Sequence, residues 1–499
     1  MTRLELQRVP VSKADGNTKC VDEFNRSKPM AHEPYTIRWA GLELPGDPES
    51  HFGIVGAVGS GKTLALQALM RSVIPTIRDV SPAAIARRAL VFDPENRCIP
   101  FLQELAGAEN VHIVNPFDVR SRPWDLANEI DGLATVQELA TLFIPIQAGD
   151  FWQRTSHRIL AAALQALHLK APGRWTLRQV FHVVTNEARL TAVLNATKQS
   201  QGLLDTLKPG TPTMANVFAA LRSSMGGLEP VAALWDSSVK VLGAKPFTLK
   251  EWLSGHGVLV LDRPTQLADN VLGRAIFTRA TQLIRAQSPG DPVDAHGRTS
   301  IFLDDLRNFG NLPGLDVFMD AARSRSTRVA LSFQDIDGLR EIYGERVAEE
   351  IANNCDTMSY LRCRGTTARW AAERLRESGR WSGEGSSGSP SPYKGDSTRS
   401  GNTRRKDITE AELSGLPPVA KHVLEGKPGG YVQGWHVVPA LKSVFPSRDK
   451  DAWYAFENIE DGVPFRARPE DHQVLRPWND ATDWDELGFR PQPGGPVPD

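Results

Sequence analysis

Residues 56–63 read Gly56-Ala57-Val58-Gly59-Ser60-Gly61-Lys62-Thr63, a fit to G-x-x-x-x-G-K-[ST] with no position missed. Small residues in such a run let consecutive backbone N–H groups turn inward around a phosphate, the lysine reaches the β and γ oxygens, and the hydroxyl ligates magnesium. Gly56, Gly61, Lys62 and Thr63 fill those roles, so the stretch reads as a phosphate-binding loop. Before it, His51-Phe52-Gly53-Ile54-Val55 suits a buried strand; after it, Leu64 to Met70 suits a helix whose N-terminus points at the phosphates. Strand, loop and helix in that order separate a nucleotide site from a chance match.

Further apolar runs lie on either side of a long interruption. Ala89-Leu90-Val91-Phe92-Asp93 and Val111-His112-Ile113-Val114-Asn115 follow the loop helix, and residues 36–45, which partly alternate, suit a single strand leading into the loop. From 124 to 245 the strand pattern is absent and segments of helical period take over, among them Val136 to Phe143, Arg158 to Leu169 and Val217 to Arg222, so this stretch reads as an all-α insertion. Strand-like runs resume at Gly257 to Asp262, Ser300 to Asp305, Thr327 to Gln334 and Thr357 to Leu361. Apolar runs alternating with helices predict an α/β fold with a mostly parallel sheet covered on both faces. Residues 36–123 and 246–446 would then be two parts of one nucleotide-binding domain.

The ends are less informative. Residues 1–35 are polar and irregular; 379–405, rich in Ser, Gly and Pro, reads as a disordered loop, and 413–445 suits a closing hairpin. The tail 447–499 carries about twice as many acids as bases, with Trp453, Trp478 and Trp484, and reads as a partly ordered, solvated segment or as a docking segment for a partner protein.

A chain of 499 residues exceeds one ordinary core. Its net charge of −1 excludes a uniformly basic surface, so nucleic-acid contact would need a local patch or the inside of an oligomer. Candidates for such a patch are Arg323, Arg325, Arg328, Arg362 and Arg364. Cys20, Cys98, Cys355 and Cys363 lack C-x-x-C spacing, which argues against a disulfide framework or a zinc site and makes a reducing cytoplasm the expectation. The longest apolar stretch, Ile159 to Leu169, falls well short of the roughly 20 residues a bilayer requires.

A phosphate-loop enzyme also needs a carboxylate at a strand end for the magnesium shell and an acidic group beside it to activate water. Three strands end in aspartate. Asp93 is followed by Pro94 and Glu95, and Asp262 by Arg263, whereas Asp304 is followed by Asp305, so this pair supplies both carboxylates, with Asp262 the rival. The next strand ends in Gln334, an amide suited to the γ-phosphate or the attacking water, or alternatively a buried group bonded to backbone.

In segment order the chain resembles the coupling-protein ATPases of conjugation and type IV secretion (TraD/TraG-like), within the FtsK/HerA group of RecA-like motors. The resemblance runs from about Leu42 to Val444. It rests on Leu44-Pro45 ahead of the loop strand, on Asn115-Pro116-Phe117-Asp118, on Phe151-Trp152 opening the insertion, and on Ile301 to Gly344, including Ala322-Arg323-Ser324-Arg325, Ser332-Phe333-Gln334-Asp335 and Tyr343-Gly344. It implies a hexameric ATPase using ATP and Mg²⁺, which moves single- or double-stranded DNA through a ring channel and brings a relaxase-bound strand to a secretion channel. It places an arginine finger at Arg323, with Arg325 the rival, and an insertion that faces the cytoplasm and touches DNA or the relaxosome. Members usually begin with transmembrane helices, so a chain without them is expected to reach the inner membrane through a partner. The second acid is usually Glu in that family and is Asp305 here. A soluble HerA-like DNA-processing or defence ATPase and an ATP-gated assembly factor of low turnover remain alternative readings.

Overall fold

The computed structural model describes residues 36–40, 42–45, 50–78, 85–144, 150–197, 203, 211–262, 270–289, 297–380, 408–424, 427–438, 443–449, 465–469 and 474–489. The N-terminal 35 residues, almost all of the Ser/Gly-rich stretch, Cys20 and Trp453 therefore lie outside the described residues.

Residues 36–45 form two strands rather than one. Thr36–Trp39 (β1) turns back on Leu42–Pro45 (β2) as an antiparallel pair, with Ala40 at a φ of 52° in the turn. The central sheet runs β10-β11-β9-β3-β8-β7-β4-β6-β5, with β12 on β11. Its parallel strands are Phe52–Val55 (β3), Arg87–Phe92 (β4), Val111–Ile113 (β5), Gly257–Leu261 (β6), Arg298–Leu303 (β7), Thr327–Phe333 (β8) and Thr357–Tyr360 (β9). Ala420–Leu424 (β10), Lys427–Val438 (β11) and Ser443–Asp449 (β12) add antiparallel pairs at one edge.

The continuous apolar runs are explained by burial on both faces. Successive side chains of a strand point to opposite sides, and in β4 Ala89 and Val91 join one core while Leu90 and Phe92 join the other. Against the first core pack the helix Lys62–Val73, the helix Ile99–Ala106 and the β1–β2 pair. Against the second packs a larger helical mass, in which truncating a fully buried residue such as Leu160 to Ala would cost about 2–5 kcal/mol.

Between β5 and β6 the chain forms helices at Leu126–Glu129, Leu133–Phe143, Phe151–Lys170, Leu177–Val184, Glu187–Asn195, Pro212–Met225 and Glu229–Lys240. Local signals set their ends. Asp150 accepts from the Gln153 N–H at the start of the longest, and Thr176 and Gln179 form a capping box on Leu177–Val184. Entry and exit of this segment meet where Phe247 bonds Pro123 and Asp125 backbone. Buried Arg279, on the helix Val271–Arg285 that follows β6, ties that helix to this segment through Glu129, Asp131 and Glu138. Its side chains belong to the same core as the sheet's second face.

The expectation of a solvated tail is corrected over its described part. Arg468 is buried and donates to the carbonyls of Asp118 and Leu234. Helix Asp480–Glu486 lies on the helical segment, where Asp483 and Asp236 pair with buried Arg178, and Arg476 also pairs with Asp236. Arg189 stacks over Trp478 at 4.8 Å. These acids and tryptophans satisfy cations of their own chain, which composition alone could not reveal.

Candidate nucleotide site

All seven parallel strands point their C-terminal ends to one edge of the sheet, and the phosphate loop, the strand-end aspartates and Gln334 lie there. Gly56 leaves β3 with its N–H on the Phe333 carbonyl at 3.3 Å, and the Ala57 N–H reaches the Arg362 carbonyl at 2.7 Å. Gly61 has a φ of 97°, and a Cβ there would come within 2.7 Å of Val419 and Val432, so both conformation and crowding require glycine. At Gly56 a Cβ would meet the Ser60 Oγ at 2.5 Å. Past this turn the helix Lys62–Val73 begins, its free N–H groups facing the loop.

Lys62 is buried, and its Nζ donates to the Gly56 carbonyl at 2.9 Å, curled back across the loop. Burial lowers its pKa, while the carboxylates of Asp305 and Asp304 act in the opposite sense. Thr63 Oγ1 donates to Asp304 Oδ2 at 2.6 Å, joining the loop to the end of β7. Ser332 Oγ donates to Asp304 Oδ1 at 2.6 Å and accepts the Asp305 N–H at 2.8 Å, so one hydroxyl of β8 fixes both carboxylate residues. Asp305 sits at a φ of 47°, and its Oδ2 accepts from Gln334 Nε2 at 2.9 Å and Asn308 Nδ2 at 2.8 Å. Its pKa is raised by burial, against the lowering effect of the Gln334 bond and of Lys62.

Lys62, Thr63, Asp304, Asp305 and Gln334 thus lie together at this edge. Asp262 does not join them. It ends β6, beyond β4 from Asp304, and its carboxyl accepts from Asn115; burial pushes its pKa up to about 7. Asp93 accepts the Cys98 N–H at 2.6 Å, within the turn that leads from β4 to the helix Ile99–Ala106. Hard oxygen donors, one hydroxyl and one carboxylate 2.6 Å apart beside a loop for phosphates, suit Mg²⁺, which keeps most of its shell as water and phosphate oxygens. Among the described residues no cluster of three or more His, Cys, Asp or Glu suggests any other metal centre.

The arginines divide. Arg323 and Arg325 precede β8 and lie at the opposite, N-terminal edge of the sheet. There Arg323 pairs with Asp356 at 2.9 Å and donates to the Asn354 carbonyl, while Arg325 donates to the carbonyls of Arg285, Gln287 and Ala321. Arg328 is only 2% exposed and lies over the Phe52 ring at 5.5 Å, so it cannot line a DNA surface. Arg362 is instead at the phosphate-loop edge, donating from Nη2 to the Val58 carbonyl at 2.8 Å. The five residues therefore do not form one patch. Sequence reasoning assigned no site role to Ser332 or Asn308; a hydroxyl inside the apolar run Val329-Ala330-Leu331-Ser332-Phe333 was the available signal for the first.

A phosphate loop on a parallel sheet, with tandem strand-end aspartates and a glutamine on the adjoining strand, defines a P-loop nucleotide-binding protein of RecA-like architecture. Residues 36–425 match the family described as type IV secretion-system coupling protein DNA-binding domain, and the chain belongs to it. It is 22% identical over 344 residues to the coupling protein TraD of Escherichia coli (strain K12), an alignment that covers 65% of this chain and 44% of TraD. The chain thus spans less than half the length of that relative. Its fold is similar to plasmid coupling protein TrwB in complex with ADP and Mg²⁺ (TM-score 0.61, 17% identity, 90% of this chain and 95% of that one). TrwB with a non-hydrolysable ATP analogue is similar too (TM-score 0.59, 18% identity, 89% and 94%). Among the described residues no helix is long and apolar enough to cross a membrane.

Proposed function

We propose that this chain is an ATP-hydrolysing, DNA-binding motor of the coupling type. It works as a homo-oligomer, with a hexameric ring the expected form, and brings DNA and its bound relaxase to a type IV secretion channel. Its site of action is the cytoplasmic side of the inner membrane. The observation that carries this reading is the 2.6 Å bond from Thr63 to Asp304, because it sets a magnesium-binding hydroxyl beside a strand-end carboxylate within a family of DNA-binding coupling proteins.

Bound Mg²⁺·ATP supplies the transferable phosphoryl group and a cation that neutralises its charge. The phosphate-loop N–H groups of residues 59–63 hold the phosphates. Lys62 exchanges the Gly56 carbonyl for phosphate oxygens, a stronger acceptor for a charged donor. Thr63 and Asp304 would hold the metal's shell. Asp305, kept in place by Ser332, Asn308 and Gln334, takes the proton of the attacking water, and Gln334 orients that water from the adjoining strand. Arg323, too far to serve its own loop, acts on a neighbouring subunit's phosphate.

Phosphate release with and without DNA tests the proposal. The parent should hydrolyse ATP faster with DNA, and Lys62→Ala should abolish turnover, since the lysine neutralises charge on the transferred phosphoryl group from within the loop itself. Turnover of Lys62→Ala within a factor of about two of the parent would remove this site from consideration.

A further inference from the structure

We propose that Arg362 is a phosphate-contacting cation of the nucleotide site, acting within its own subunit on the terminal phosphate of ATP; this rests on the nucleotide-site reading above. Arg362 follows β9, the strand beside β3 on the flank away from Asp304. Its backbone and side chain both grip the loop, the carbonyl accepting from the Ala57 N–H at 2.7 Å and Nη2 donating to the Val58 carbonyl at 2.8 Å. Gly59 is the neighbouring loop position, and a Cβ placed there would stand 4.0 Å from Nη2.

The charge of Arg362 is otherwise uncommitted. Its Nε is buried with no hydrogen-bond partner, and no carboxylate pairs with the residue among the described residues. Arg323, by contrast, is paired with Asp356, Arg307 with Glu341 and Arg340 with Glu349. A half-buried guanidinium whose bond runs to a neutral carbonyl gains when a phosphate oxygen becomes available, because charge-assisted bonds are roughly twice as strong as neutral ones. Lys62 makes the same kind of provisional bond, to the Gly56 carbonyl. The two cations thus hold the loop at two points of its first half, the Gly56 and Val58 carbonyls, and both bonds can be exchanged for phosphate. Lys62 sits on the helix side with Asp304, and Arg362 approaches from β9 at the loop's exposed tip, where the Val58 side chain is 71% open to solvent. A cation at that tip adds to the charge opposing the outermost phosphate, which the lysine alone only partly offsets.

The test uses the full chain and two fluorescent nucleotides, a non-hydrolysable ATP analogue and ADP, with DNA binding measured in parallel at fixed salt. Arg362→Gln should weaken the ATP analogue by about tenfold or more and ADP by less than about threefold, with Arg362→Lys recovering part of the loss. DNA affinity should stay within about twofold, because the arginine serves phosphate of the nucleotide and not of DNA. Equal loss for both nucleotides, with melting unchanged, would reduce Arg362 to a brace for the loop and overturn the proposal, as would a loss confined to DNA. Mixing Arg362→Gln with Lys62→Ala protein should restore no hydrolysis, since both residues serve one phosphate from one subunit; recovery would place Arg362 in trans and overturn the assignment. Nucleotide binding retained in Arg362→Gln but lost in Lys62→Ala would sink this inference alone, whereas binding retained in Lys62→Ala would sink the nucleotide site itself.

Discussion

Thr63 and Asp304, 241 positions apart in the chain, share a 2.6 Å hydrogen bond, so the start of the loop helix and the end of β7 are one chemical unit. If both serve the same metal shell, their losses cannot be independent. Thr63→Ala and Asp304→Asn should each lower kcat by about 100-fold or more, and the double variant should be little worse than the poorer single one. Steady-state phosphate release over a range of Mg²⁺ concentrations checks this; losses that multiply would mean that the two residues act separately.

Asp305 stands where the related motors usually carry glutamate, and its surroundings are built for the shorter residue. Its φ of 47° is tolerated by Asp and Asn better than by longer side chains, and Gln334 and Asn308 meet its Oδ2 at 2.9 and 2.8 Å. Asp305→Glu should therefore slow the chemical step, and Asp305→Asn should slow it more, by removing the base. Because burial raises the Asp305 pKa, acidification should cut the parent's single-turnover rate at a pH above the ordinary aspartate range, through protonation of the base. A Glu variant faster than the parent would show that the extra methylene is accommodated.

Arg323 cannot reach the loop of its own subunit. It precedes β8, whose seven residues at about 3.3 Å each put roughly 20 Å between the sheet edges. As a finger in trans it should account for about 10³-fold in turnover, whereas a surface ion pair with Asp356 contributes at most about 1 kcal/mol of stability. Arg323→Ala protein mixed with Lys62→Ala protein should regain activity that neither has alone. With mixed rings confirmed by size, no recovery at any ratio points to Arg325 or to neither.

Arg178 holds the C-terminal segment. The guanidinium is 1% exposed, between Asp483 and Asp236, and donates to the carbonyls of Arg476 and Pro477. Asp483→Ala leaves that charge with one carboxylate and should cost about 2–4 kcal/mol in denaturant unfolding, and it should expose the segment around residue 475 to protease. Arg178→Met combined with Asp483→Leu should recover much of the loss. Unchanged stability and proteolysis in Asp483→Ala would mean that the segment is held by Trp478, Trp484 and their neighbours instead.

What the sequence determined by itself is local. Eight consecutive residues make the phosphate loop, since the turn, the cation and the hydroxyl all depend on near neighbours. The parallel strands were legible as apolar runs because a strand buried on both faces has few polar positions, and the helices between β5 and β6 because a 3.6-residue period is written into each segment. Tertiary structure alone decided which strand ends meet. Nothing local distinguishes Asp304 from Asp262 as the partner of Thr63 beyond the neighbouring Asp305; the strand order does, placing β7 one strand nearer the loop than β4 and two nearer than β6. The same holds for Ser332 bracing both aspartates, for Arg362 lying on a loop 304 positions away, and for Arg328 vanishing into the core although it is as charged as Arg362. It holds again for the tail, whose acids read as solvated until Arg178, 305 positions earlier, is found beneath them. Each is a pairing across the chain, fixed by packing two faces of one sheet, and no periodicity within a segment encodes its distant partner.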